Sequence, residues 1–203
     1  MNVHAPARAS ARSDVLAQAA ARASTDGVEG LTIGRLAASL GMSKSGVVGL
    51  FGSKADLQVA TLRSAGDRFQ REVIDKARAE PGVARLRELL HRWLSYITTA
   101  YPGGCLFSAA AAELDDRPGP ARDELVALER RWIAHLESEA RLAIRLGELP
   151  KSDDPRQLVF ELFSVLLGAN FWNRLLADPD AVTRADNAID RVLGSGRERK
   201  NCT

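Results

Sequence analysis

Residues 32–54 read TIGRLAASLGMSKSGVVGLFGSK, two apolar clusters on either side of a glycine. Ile33, Leu36, Ala37 and Leu40 recur at helical spacing, so Thr32 reads as the N-cap of a short helix ending near Leu40. Gly41 supplies a tight turn. Ser43 is placed to cap a second short helix, roughly Lys44 to Phe51. Ser53, with Asp56 three residues later, resembles a capping box that opens a further helix. Two short helices joined by a glycine turn form the helix-turn-helix unit. The second helix of such a pair can lie in a DNA major groove with its first residues toward base edges. Ser43, Lys44, Ser45 and Gly46 stand there: small hydroxyls, a cation and a glycine that permit close approach. Free amides at that helix start favour a phosphate. On spacing alone, a capped αα-hairpin on the surface is an equal reading.

The chain around this segment reads as helix after helix. Val15, Leu16, Ala19, Ala20 and Ala23 mark a first helix from about Arg8 to Thr25. The helix opened by Ser53 is expected to reach about Ala79, with Val59, Leu62, Gly66, Phe69, Val73 and Ala77 on its buried face. A fifth helix carries Leu86, Leu90, Trp93, Leu94 and Ile97 and breaks at Pro102-Gly103-Gly104. Cys105–Asp115 reads as a short buried helix, closed off by Pro118-Gly119-Pro120. A long seventh helix has Leu125, Leu128, Trp132, Leu136, Ala140 and Ala143 in phase. Asp154 with Pro155 starts an eighth, and a ninth runs roughly from Asp180 to Leu193, leaving a polar, frayed tail from Ser195. No strand alternation and no repeat appear, so the fold class is all-α.

Composition narrows the function. Of 203 residues, 45% are hydrophobic and 27% charged, ordinary for a folded protein. The net charge of +2 excludes binding to nucleic acid by bulk charge. The charge is uneven, however: residues 1–54 hold six basic and three acidic residues, and residues 55–203 hold 22 and 23. The excess lies where the helix-turn-helix pattern lies. Met1–Asp14 lacks an apolar stretch, so no secretory signal is expected, and no run approaches a membrane span. Two distant cysteines, Cys105 and Cys202, form no disulfide framework and fit a reducing, cytoplasmic location.

The order Leu31-Thr32-Ile33, Leu36-Ala37, Leu40-Gly41-Met42-Ser43-Lys44-Ser45-Gly46 and Leu50-Phe51-Gly52-Ser53-Lys54-Ala55-Asp56-Leu57 strongly resembles the DNA-binding region of the tetracycline-repressor (TetR) family. The likeness spans about residues 10–60, and the nine-helix pattern agrees with it. It implies an N-terminal three-helix DNA-binding domain at 1–54 and a C-terminal helical ligand-binding and dimerisation domain at 55–203. It implies a homodimeric transcriptional regulator, usually a repressor, on a pseudo-palindromic double-stranded operator. A small-molecule effector in the C-terminal domain would release it. Carried over by position, Thr32 and Lys54 would contact phosphate, and Ser43, Lys44, Ser45 and Gly46 would start the recognition helix. Arg35 and Val48 complete the expected DNA-binding set. The family usually has Tyr, a variable residue, then His or Tyr where this chain has Val48, Gly49 and Leu50. Those aromatics support phosphate and base contacts. Val47 and Val48 would instead meet thymine methyl groups.

The eighth helix is apolar nearly all round, so one of its faces is expected to meet a second subunit. Leu158, Leu162, Val165, Leu166, Ala169 and Trp172 are the candidates. Trp93, Tyr96, Tyr101, Phe107, Trp132 and Phe163 are candidate effector-cavity walls, with Cys105 and Asn170 to orient a ligand. Ordinary core packing is the commoner role for each. His91 with Glu88, and His135 with Glu139, have the spacing of metal ligands on a helix, but each is a single pair, so no metal site is expected. No phosphate loop, nucleophile elbow or Cys-x-x-Cys occurs, so neither an enzyme nor a cofactor is expected. A second reading stays open: a dimeric helical ligand-binding protein whose DNA function is lost, on the strength of Val48-Gly49-Leu50.

Overall fold

The computed structural model describes residues 4–198, and these are helical with no strand among them. The helices are α1 (His4–Asp26), α2 (Ile33–Ser39), α3 (Lys44–Phe51), α4 (Lys54–Phe69), α5 (Val83–Thr99), α6 (Leu106–Leu114), α7 (Pro120–Arg145), α8 (Pro155–Arg174) and α9 (Ala181–Glu198). No described helix is long and apolar enough to cross a membrane.

The short helices form where local chemistry starts them. Thr32 Oγ1 accepts the Arg35 amide at 3.3 Å, Ser43 Oγ accepts that of Gly46 at 3.0 Å, and Asp154 accepts that of Arg156 at 3.0 Å. The Ser53–Asp56 box closes in both directions, since Asp56 N donates to Ser53 Oγ at 3.1 Å and that hydroxyl donates to the carboxylate at 2.6 Å. Gly41, at φ +64°, makes the turn between α2 and α3 in a conformation a side chain would resist.

Three boundaries differ from expectation, the first being the start of α1, at His4 rather than about Arg8. The fourth helix does not reach Ala79: α4 gives way to a π-helical turn, Gln70–Ile74, and stops. The cause lies downstream, where the Glu88 carboxylate of α5 takes the Arg78 and Ala79 amides, both at 2.7 Å. Those donors are thereby lost to a continuing helix. At the other end, Gly194 adopts helical backbone and α9 runs on to Glu198, so residues 195–198 are not frayed. Residues 199–203 of the expected frayed tail, with Cys202, lie outside the described residues.

Packing divides the chain into two compact units. The first takes in α1–α4, α6 and α7 as far as Leu128. In it α1 packs on α2, α4 and α6, while α3 packs on α2 and α4. Its core is built from Val15, Leu16, Ala19, Leu36, Val47, Leu57, Leu62, Leu106 and Leu114, all buried. The expected α4 stripe is partly rotated, since Val59 and Gly66 are half-buried while Leu57, Gln58, Thr61 and Ala65 are buried. The second unit takes in the π turn, α5, the rest of α7, α8 and α9. There α8 packs chiefly on α9, and α5 lies against both. The packing units follow contacts between helices, whereas the division at 54/55 concerns which residues meet DNA and belongs to the functional proposal.

Candidate nucleic-acid interface and effector domain

Val47 and Phe51 are the buried anchors of α3. They turn the opposite side of α3 outward, so Ser43, Lys44, Ser45 and Val48 are exposed and Gly46 is half-buried; Thr32 and Arg35 at α2 and Lys54 at the start of α4 are exposed as well. Ser43 and Ser45 hydroxyls sit 3.1 Å apart at the start of α3. Val47 is fully buried, which removes it from the thymine-methyl role and leaves Val48 alone for it.

The cations differ in how free they are. Lys54 Nζ donates to the Glu29 carbonyl at 2.8 Å and lies 3.2 Å from the Glu29 carboxylate. The hydrogen bond from Lys54 to the carboxylate holds the Glu29 carboxyl below the usual carboxylate range, against a smaller opposing effect of burial. Arg22 pairs with Asp26 at 3.7 Å. Among the described residues, Arg8, Arg12, Arg35 and Lys44 have no carboxylate partner.

The loop before α2 is held from two sides. From α4, Gln58 Nε2 donates to the Val28 carbonyl at 2.9 Å, alongside Lys54 on Glu29. From α6, the Glu113 carboxylate accepts the Val28 amide at 2.6 Å and the Glu29 amide at 3.0 Å. Glu113 is thus a structural acceptor for two adjacent amides.

The effector candidates fall in both packing units. Tyr101, Cys105 and Phe107 are buried in the first unit, with Tyr101 under the Arg68 guanidinium at 4.8 Å and Phe107 edge-on to Phe69 at 6.0 Å. Trp93, Tyr96 and Trp132 are buried in the second, and Phe163 and Asn170 are half-buried there. Trp93 and Phe163 bring α5 and α8 together with ring centroids 5.5 Å apart. Asn170 Oδ1 is buried without a hydrogen-bond partner among the described residues. Tyr96 lines an open cavity of about 610 Å³ along the outer side of α5, with Glu72, Lys76, Arg87, His91 and Arg92.

Both metal-like pairs are spent on structure. Glu88 binds Arg92 at 2.7 Å besides its two amides, and its carboxyl is lowered to about 2, chiefly by the Ala79 amide. His91 lies 3.6 Å from Asp186 on α9. His135 stacks on Trp132, and Glu139 accepts the Gly82 amide at 3.0 Å. No cluster of three metal-ligating side chains occurs among the described residues.

One acid went unread in the sequence. Glu129 sits between Leu125 and Trp132 in the inward phase of α7, half-buried, and burial pushes its carboxyl up to about 7. Between its ordinary value of 4.5 and 7 the folded chain therefore holds a proton that the unfolded chain has lost. Stability falls as pH rises through that window. Glu129→Gln is expected to match the wild type near pH 4.5 and to unfold at a higher temperature than the wild type at pH 8. Thermal midpoints at both pH values test this, and an equal difference at the two would remove burial of the charge as its cause.

On α8, Leu158, Leu162, Leu166 and Ala169 are buried against their own chain and Val165 is half-buried. Of the six expected contact residues, Trp172 alone is exposed. The outward apolar residues of α8 are instead Phe160, Leu167, Phe171 and Trp172, followed by the exposed Leu175 and Leu176 just past its end.

Such a helix-turn-helix head followed by a helical body is the architecture of a one-component transcriptional regulator. The model of the tetracyclin repressor-like C-terminal domain matches residues 82–189. The chain belongs to the tetracycline-repressor (TetR) family of transcriptional regulators. A TetR regulator from Chloroflexus aurantiacus shares the fold with a TM-score of 0.83 at 24% identity, covering 91% of this chain and 94% of that one. A TetR-family regulator from Streptomyces coelicolor matches with a TM-score of 0.77 at 21% identity, over 94% and 96% of the two chains. AibR, solved with isovaleryl coenzyme A and operator DNA, matches with a TM-score of 0.70 at 22% identity, over 88% and 96%. No curated protein matches in sequence.

Proposed function

We propose that this chain is a sequence-specific DNA-binding repressor that acts as a cytoplasmic homodimer and leaves its operator when a small molecule fills the C-terminal domain. Residues 1–54 read DNA, and residues 55–203 bind the effector and pair the subunits. The observation that carries this reading is the exposed row Ser43, Lys44, Ser45 and Val48 on a capped helix whose other face is pinned by Val47 and Phe51. The serine hydroxyls and free amides suit phosphate and base edges, Val48 suits a thymine methyl, and Thr32 and Arg35 suit flanking phosphates. AibR, crystallised with an acyl coenzyme A and operator DNA, supports a scheme in which ligand and operator act on one chain.

A salt titration of binding to DNA from upstream of the chain's own gene tests the proposal. Affinity for that DNA should exceed affinity for random sequence at physiological salt; equal affinity would leave a ligand-binding dimer without DNA function as the better reading. Lys44→Ala should weaken all sequences alike and flatten the salt dependence by about one unit. Lys54→Ala should change the slope less, since its ammonium is engaged by Glu29.

A further inference from the structure

The eight residues of α3 are poorly made for an independent helix. Two of them, Gly46 and Gly49, are glycines, each weakening a helix by about 1 kcal/mol relative to alanine. Glycines also flank it at 41 and 52. A helix this short leaves its last carbonyls without in-helix donors. The Gly52 amide takes the Val48 carbonyl at 2.7 Å. The next carbonyl, of Gly49, is taken by a residue 41 positions away: Arg8 Nη2 donates to it at 2.6 Å. One turn further along α1, the Arg12 guanidinium lies over the Phe51 ring, 5.0 Å from its centroid. Arg8 and Arg12 are four apart, so one face of α1 grips the carboxyl-terminal turn of α3 at two adjoining points. The position of Gly49 is not a packing requirement, because a Cβ there would meet nothing within 4 Å. The arginine pair adds a hold on this turn beside the buried Phe51, and a cation at a helix carboxyl end also suits the helix dipole.

We propose that Arg8 is a positioning residue for operator reading: through the Gly49 carbonyl it fixes the recognition helix, with Arg12 on Phe51 as its second point of hold. This rests on the DNA-binding reading above. It assigns Arg8 an effect on which sequence is bound rather than on how strongly any phosphate is bound.

The test uses the full chain, with its upstream DNA and random duplex of equal length as probes, across a salt series. Arg8→Met keeps the stem and removes the donors. It should lower the operator-to-random affinity ratio about tenfold, the scale of one lost charge-assisted hydrogen bond. The affinity for random DNA and the salt slope should stay near wild type. Arg8→Lys, which can still donate to the carbonyl, should restore much of the ratio. A slope reduced by about one unit with an unchanged ratio would make Arg8 a phosphate contact and overturn the assignment. An unchanged ratio and slope would overturn it too, as would parallel loss of both affinities with a lowered unfolding midpoint, which marks a merely structural residue. Absence of operator preference in the wild type would fail the DNA-binding reading itself, before Arg8 is reached.

Discussion

Phe171→Glu combined with Leu175→Glu is expected to leave the chain monomeric at micromolar concentration, where the proposed homodimer would otherwise form, and to abolish the proposed operator binding. Both side chains are at least half exposed, 50% and 69%, at the end and the C-cap of a helix whose other side is packed against its own chain. Four exposed large apolar side chains on α8, continued by Leu175 and Leu176 just past its end, are more than scattered surface hydrophobicity and suit a contact surface. In a two-fold dimer each substitution counts twice. Four large side chains, each worth about 1.5–3 kcal/mol when buried, would be lost and four carboxylates brought together. A dissociation constant raised by at least about a thousandfold corresponds to only about 4 kcal/mol of this. Operator binding fails with it, because paired half-sites need two heads at fixed spacing. Light scattering and a gel shift measure the two consequences. A variant that stays dimeric would move the interface elsewhere.

Gly103→Ala is expected to cost about 3 kcal/mol or to prevent folding. The Gly103 amide donates to Ser24 Oγ at 3.0 Å, and this bond draws the two backbones together. A Cβ at 103 would fall inside the Ser24 carbonyl group and 2.8 Å from the Thr25 amide, all backbone atoms that cannot rotate away. Clashes of this kind force the helix end and the loop apart. For a chain of this size the loss corresponds to a fall in the thermal midpoint of about 6–12 °C. Gly194→Ala serves as the comparison. Its Cβ would meet nothing within 4 Å, and in the middle of α9 it should hold or raise the midpoint. Equal midpoints for the two variants would mean that Gly103 is not a close-contact site.

These expectations show what the sequence made legible. The boundaries of α2, α3 and α8 were readable because their caps, Thr32, Ser43 and Asp154, act within three residues. The stop of the fourth helix was not, because its cause is Glu88, nine and ten residues beyond the amides it removes. The inner and outer faces of α8 were confused for a different reason. A helix apolar on all sides has no hydrophobic phase, so its buried set could not be told from its exposed one. Lys54 kept its place in the resemblance, but its partner Glu29 lies 25 positions away on a loop no pattern aligns with it. All the aromatic candidates for the effector site but the half-buried Phe163 were legible as buried residues, since size and apolarity predict burial. Which of them share a wall depends on tertiary packing alone.

The two-sided hold on Val28 and Glu29 bears on how such regulators can be recombined. A cassette ending at residue 54 would carry the helix-turn-helix but leave behind Gln58 and Glu113, which satisfy the Val28 carbonyl and both loop amides. Grafted onto a foreign sensor, that fragment would bring an unsupported hinge directly before its reading helices. The portable unit of this chain is larger: it must include α4 and α6, so a chimera has to be spliced around them rather than between them.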